Sequence, residues 1–508
     1  MLKRIIRLFS ALGAGVGVTL LTQFLLPPAF IRYYGVRQYG EWLVLTATLN
    51  YLSTLNFGIT TYASNQLAIL RRRDEMDGFR QLQASTLALL LGMATLGILI
   101  STTVFVLPLG TLLHLTTMPL QEVRWTAFLL GAQAVVQIVC GYYNNMFLVV
   151  EQVDRGTHWS NLRRLAATLV CLPLAMMQAK FSSLAFWQLA AMIVVTLLTL
   201  FDLKRLMAPL PLGLRGADWK TAKASLVPSG FFAMTYTQVF LLFQAPVILL
   251  QWMLGPETVV LFSISRTILA TARQFLQNIT FAIIPEITFS FGERNHKKLL
   301  DIFHVSEKIV FSAIPVGNLC AYLFSPVLLA LWLHKPEFFD PYLYALMTLI
   351  SAAMSMREHK QSFHFSTNTH RGYANIVFFG NLLMLALSIP ATRTFGLDGF
   401  LYVWLISEVT QMGLLYRENK KLLYHDPSIT LVAPIKLVLM MLAALPLCAG
   451  LLHLTMKHSL WWVGAASAAA TCALAILSYF LFGVGDVWER VRQRVQQRRG
   501  AQELAAEV

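Results

Sequence analysis

Apolar residues in this chain recur in long unbroken runs, without the alternation of strands or the one-sided spacing of surface helices. A helix that crosses a bilayer needs ~20 mostly apolar residues. Fourteen windows of that kind follow one another, beginning near Leu8, Trp42, Leu82, Trp125, Leu165, Leu184, Leu226, Val259, Ile302, Pro341, Ala374, Gly399, Leu431 and Leu460. Two of them, Leu165–Ala179 and Pro341–Met356, are short unless flanking polar residues join the helix. The windows absorb about 308 residues at the length the bilayer sets, which leaves short connections and no room for a folded soluble domain. The pattern predicts an all-α integral membrane protein with about 14 transmembrane helices.

The longest mid-chain connection, Lys204–Ser225, carries Pro209, Pro211, Gly213 and Gly216 and divides the windows six and eight. The expected organisation is a six-helix lobe over 1–205, a cytoplasmic linker at 206–224, and a second six-helix lobe over 225–420. A pair formed by helices 13 and 14 follows over 421–484, then a basic tail at 485–508. A faint repeat links the halves: Gln23…Pro27-Pro28…Gly35 in the first, Gln244-Ala245-Pro246…Gly255 in the second. Internal repeats are common in transporters. In the tail, Trp488, Val491 and Val495 share one helical face among five arginines, which suits either a helix lying on anionic lipid or a solvated tail.

Composition agrees with this reading. Of 508 residues, 56% are hydrophobic and 13% charged, about half the charged share of an average soluble chain; the mean hydropathy is +0.61. A net charge of +15 could suggest nucleic acid, but its distribution argues for membrane topology. Of the Lys and Arg residues, 29 fall on one side of the alternating connections and 7 on the other, with Arg266, Arg273, Lys308 and Lys436 inside windows. By the positive-inside rule both termini are cytoplasmic, in a multi-pass protein of the cytoplasmic membrane with no nucleic-acid partner. Lys3-Arg4-Ile5-Ile6-Arg7 and the apolar run to Ile31 resemble a signal peptide, yet the run is too long and lacks a small-x-small cleavage site. It reads as a retained first helix. The cysteines (Cys140, Cys171, Cys320, Cys448, Cys472) all lie inside windows, which excludes a disulfide framework or a CxxC metal site.

No phosphate loop, HExxH or GxSxG pattern occurs, and neither a cofactor nor an enzymatic centre is expected. His359, His364 and His370 fall in an expected polar cytoplasmic loop between the tenth and eleventh helices, at spacings that match no helical metal face. The informative residues are polar ones at membrane depth. Arg266 lies near the middle of the eighth window and Arg273 follows at i+7, nearly the same azimuth. A central arginine costs roughly 2.5–3.5 kcal/mol on insertion scales, so each must face a partner or water. Ser263, Arg266, Ala270, Arg273 and Gln277 form a polar or small stripe, whereas Ile264, Ile268, Phe275 and Ile279 form an apolar one. That face looks into a hydrated or anionic space, or else it is locked to a carboxylate such as Glu408 of the twelfth window. Acids at membrane depth are scarce here, which favours the cavity. Glu408, with Gln411 one turn on, is the candidate for ion coupling and equally a static partner for an arginine. Lys308 and Lys436 lie near inner helix ends and snorkel. Further polar positions, Asn50, Gln133, Gln137 and Gln244, could each glue helices. Together they point to a hydrated cavity between two bundles, with Arg266, Arg273, Gln277, Asn50, Gln133, Gln137 and Gln244 as candidate substrate-binding residues.

Several stretches resemble the polysaccharide (O-antigen type) flippases of the multidrug/oligosaccharidyl-lipid/polysaccharide exporter superfamily. They are Ala11-Leu12-Gly13, Arg32-Tyr33-Tyr34-Gly35, Tyr39-Gly40-Glu41-Trp42, Leu55-Asn56-Phe57-Gly58, and the arginine-bearing eighth helix followed by Ile284-Pro285-Glu286. The resemblance implies a V-shaped transporter with a central cavity between two lobes. Its cargo would be an oligosaccharide on a polyprenyl diphosphate, moved between leaflets by alternating access. Cationic cavity residues would meet the diphosphate, with membrane lipid and other polysaccharide-assembly membrane proteins as further partners. The competing readings are a drug or metabolite antiporter of the same superfamily and a membrane-embedded polysaccharide polymerase or ligase. The last generally needs an extended outer loop, and the longest outer connection, Pro108–Arg124, has 17 residues.

Overall fold

The computed structural model describes residues 2–52, 58–207, 213–292, 294–367 and 369–486, and they are overwhelmingly helical. In chain order the α-helices are α1 (Leu2–Leu49), α2 (Ile59–Arg72), α3 (Met76–Thr102), α4 (Leu109–Leu112), α5 (Leu120–Val149), α6 (Val153–Met176), α7 (Phe181–Met207) and α8 (Trp219–Phe243). They continue as α9 (Ala245–Leu254), α10 (Pro256–Gly292), α11 (His296–Leu328), α12 (Pro341–Ser366), α13 (His370–Leu422), α14 (Val432–Thr455) and α15 (Leu460–Leu481).

Among the described residues, ten helical segments are long and apolar enough to cross a membrane. Two of these, Gly13–Leu52 and Arg371–Leu422, run for 40 and 52 residues, far beyond the ~20 one crossing requires. Each is bent by a glycine with positive φ, Gly35 in α1 (φ 82°) and Gly396 in α13 (φ 62°), and so makes two arms. Helices α6 and α12 are of crossing length but too polar to be counted by composition. Every apolar window of the sequence thus has its helical segment.

The two short windows need a correction. Helix α6 starts at Val153 rather than near Leu165, and α12 runs to Ser366 rather than stopping at Met356. Arg155, Arg163, Arg164, Arg357, His359, Lys360 and His364 are therefore helical residues, not loop residues. Their charges make the segments look like connections; α12 is enclosed by other helices and needs no lipid-facing apolar stripe, whereas α6 leaves Arg155 and Arg164 exposed.

The chain divides into two compact units, 1–263 and 264–508. In the first, α1 packs on α6 and α9, and α5 packs on α2, α3 and α7. Phe79, Tyr142, Met146, Phe147 and Leu203 form the centre of its core. Glu41 is fully buried and ties α1 to the segment after α4: its Oε1 accepts from the backbone N–H of Thr116 (2.7 Å) and Thr117 (2.8 Å). The faint repeat has a backbone counterpart. Gly35 (φ 82°, ψ 168°) and Gly255 (φ 89°, ψ 176°) adopt the same conformation, one that side chains beyond hydrogen rarely enter.

In the second unit, α11 packs against α12, α14 and α15, and α12 against α13. Helix α15 turns bulky apolar residues outward, with Trp461 88% and Phe480 73% exposed, as a lipid-facing helix does; tryptophans at its start suit the membrane interface. Helix α12 is the opposite case. From Leu343 to Ser366 it is buried on nearly every side, hydroxyls and charges included. Thr348 and Ser355 bond back to carbonyls one turn earlier, which satisfies them within the helix. The expected amphipathic tail around Trp488, Val491 and Val495 lies outside the described residues.

Candidate functional site

The charge chemistry of the second unit converges on one turn of α12. Successive helical residues are rotated by about 100°, so Arg357, Glu358, His359 and Lys360 point around most of a circle. Each meets a different surface. Arg357 Nε lies 2.7 Å from Glu408 Oε2 on α13, with both side chains almost wholly enclosed; Trp404 Nε1 donates to the other Glu408 oxygen at 3.3 Å. Glu358 faces α10, where Gln277 Nε2 donates to its Oε2 (2.8 Å) and Arg273 Nε stands 3.7 Å from its Oε1. His359 Nε2 shares a hydrogen bond with Ser306 Oγ of α11 at 3.0 Å. Lys360, fully buried, pairs with Glu307 of α11, and its ammonium lies over the rings of Phe303 (4.1 Å) and Phe311 (4.9 Å).

These pairs differ in access. Glu408 has no exposed side-chain surface and Glu307 has 9%, whereas Glu358 keeps 20% and Arg273 10%. Burying a charge is costly unless it is paired, and three acids opposite three cations make the layer neutral. Two pairs are sealed. The third, Arg273–Glu358, is looser and partly open.

From the sequence, Glu408 is equally a candidate for ion coupling and a static partner for Arg266 or Arg273. The structure corrects this: the partner of Glu408 is Arg357, and the carboxylate beside Arg273 is Glu358. Glu408 is also not alone as a buried acid in this unit, since Glu307 is buried too and Glu358 is partly so. The missed signal was the run Arg357-Glu358-His359-Lys360 itself, because four consecutive charged or titratable residues on a helix cannot all face one solvated side.

Of the candidate residues, Arg266, Arg273 and Gln277 share a face of α10, and Arg273 and Gln277 meet at Glu358; Arg273 Nη1 also contacts Met354 Sδ (3.0 Å). Arg266 is partly exposed. The others belong to the first unit. Gln133 Nε2 donates to the Ala185 carbonyl of α7 (2.7 Å), a helix-gluing bond. Gln137, one turn on, is exposed, Asn50 lies in the helical turn after α1 and is partly buried, and Gln244 marks the break between α8 and α9. The inner-end lysines reach polar partners: Lys308 Nζ pairs with Asp486 (3.0 Å), and Lys436 Nζ donates to the Leu481 carbonyl (3.3 Å). The first unit has its own enclosed charges. Asp202 on α7 accepts from Arg155 Nε (2.7 Å) and Trp159 Nε1 (2.7 Å) of α6, and Arg163 Nη2 donates to Asn144 Oδ1 (2.8 Å).

A scan against protein-family models finds no match, and a search of curated proteins finds no relative. Solved structures do share the fold. The chain is similar to the lipid II flippase MurJ in an inward closed conformation, at 10% identity and a TM-score of 0.67, over 97% of this chain and 100% of that one. It is also similar to an inward-facing multidrug resistance MATE family transporter of the MOP superfamily (14%, TM-score 0.62, 83% and 98% covered). A MATE protein in complex with MaL6 gives 16% and a TM-score of 0.58, with 83% and 96% covered. The chain thus shares its fold with a lipid II flippase and with MATE proteins.

Proposed function

We propose that the protein is a flippase that moves a polyprenyl-diphosphate-linked oligosaccharide, a polysaccharide repeat unit, across the cytoplasmic membrane by alternating access. The observation that carries this reading is the cationic face of α10. Arg266 and Arg273 lie one heptad apart, about 10.5 Å along the axis, and Arg273 holds its carboxylate at 3.7 Å rather than in tight contact. A guanidinium can exchange a carboxylate for a phosphate, whose oxygens fit its planar fork. The spacing suits an anion handed from one arginine to the next. The match to a lipid II flippase over nearly the whole chain adds support. The orientation belongs to the same reading: the basic residues of the connections lie mostly on one side, which favours cytoplasmic termini.

A drug or metabolite antiporter coupled to a cation is the second reading, favoured by the partly open Glu358. Proteoliposomes holding the purified protein separate the two. Wild type should move a fluorescent polyprenyl-diphosphate oligosaccharide between leaflets, and Arg273→Gln and Arg266→Gln should slow that movement severely. Movement at wild-type rate in the double variant, or proton-driven dye uptake with no lipid movement, would sink the flippase assignment.

A further inference from the structure

Beside the charged turn of α12, with Glu307 on its wall, the second unit contains a cavity of about 400 Å³ where the start of α14 and the end of α15 meet the flank of α11. That is within the ~300–1,000 Å³ of small-molecule sites. Its position is the membrane boundary, because the apolar spans of α14 and α15 begin and end there, at Val432 and Leu481. Its charges divide into spent and unspent. Lys308 is held by Asp486, and Glu307 by Lys360. Asp301 makes no ion pair among the described residues. Lys436 reaches only a backbone carbonyl. One anion and one cation therefore face the same space without an opposite charge of their own.

We propose that this cavity is a headgroup site for a phospholipid carrying a primary ammonium beside its phosphate, phosphatidylethanolamine. The order of the charges fits. His304 of α11 shares a hydrogen bond with Ser428, four residues before α14 begins (2.9 Å), and Asp301 lies almost a turn earlier on α11, whereas Lys436 lies one turn inside the α14 span. The carboxylate thus sits on the water side and the ammonium of Lys436 on the lipid side. In the lipid the ammonium is the outer group and the phosphate the inner one. Val305, Val432 and Phe482 supply apolar wall where the glycerol and first methylenes would pass. A phosphatidylglycerol headgroup brings no cation for Asp301, and the trimethylated nitrogen of phosphatidylcholine donates no hydrogen bond to it.

The test uses the full-length protein in detergent with dihexanoyl phosphatidylethanolamine, -choline and -glycerol, read by native mass spectrometry. The ethanolamine lipid should bind about tenfold tighter than the other two, the ratio one charge-assisted contact supplies. Asp301→Asn and Lys436→Gln should each erase the preference. Asp301 is exposed, so its variant folds and decides the matter even if the lysine variant is poorly recovered. Equal binding of the three lipids, tighter binding of the glycerol lipid, or an unchanged preference in Asp301→Asn overturns the proposal. Phosphoethanolamine without acyl chains binding as tightly overturns the assignment to a lipid.

Discussion

Arg357 of α12 and Glu408 of α13 form a 2.7 Å ion pair, with 3% of the arginine side chain and none of the glutamate left exposed. Removing one partner of such a pair strands the other charge in a space without water, at a cost of about 3–5 kcal/mol. Glu408→Gln and Arg357→Met should therefore each lower the melting temperature and membrane abundance sharply. The Arg357→Met, Glu408→Leu double variant should recover most of the loss. A double variant no better than the singles would mean the pair does more than neutralise itself.

The Arg273–Glu358 pair should behave differently, because it is looser and partly open. Arg273→Gln is expected to keep near-normal abundance while lipid-linked oligosaccharide movement falls steeply, and Arg273→Lys to retain part of it. Combining Arg273→Gln with Glu358→Gln should not restore transport. Restored transport there would assign the arginine a purely structural role.

Single cysteines in a cysteine-free background test which faces meet water. Gln137 and Arg266 are partly or fully accessible and Ile268 is 2% exposed. Cysteine at positions 137 and 266 should react with a small water-soluble thiol reagent, and at 268 it should not. Protection at all three would remove the hydrated face.

Asp218 caps α8 outside the membrane spans, accepting from the backbone N–H (2.9 Å) and hydroxyl (2.8 Å) of Thr221. These bonds hold its carboxyl below the ordinary range. The stabilisation is complete above the unfolded carboxyl value, about 3.9, and is lost as the pH falls through the lower folded value. At neutral pH, Asp218→Ala should expose Lys220 and Lys223 to faster tryptic cleavage. Cleavage at the wild-type rate would show the cap to be idle.

Much of this was legible in the apolar pattern, since a run of twenty apolar residues has few alternatives to a crossing helix. Arg266 and Arg273 stand out because a charge inside such a run is conspicuous. Glu358, Lys360 and Arg357 were not, because they stand at the end of a weakly apolar stretch. There a buried charge matched by a distant residue looks the same as a solvated loop charge. The partner of Arg357 is 51 residues away and that of Lys360 is 53, and no local spacing encodes such distances. For the same reason, the basic residues assigned to connections included Arg155, Arg163, Arg164, Arg357 and Lys360, which the structure puts on helices.

The turn of α12 also limits how this part of the molecule can move. A twist of α12 by one residue would bring every one of its four polar side chains opposite the wrong neighbour at once. The helices it binds, α10, α11 and the second arm of α13, are tied to one another through it, and the positive φ of Gly396 breaks α13 outside that tie. The segment is a mechanical joint: each substitution in 357–360 alters how four helices are clamped.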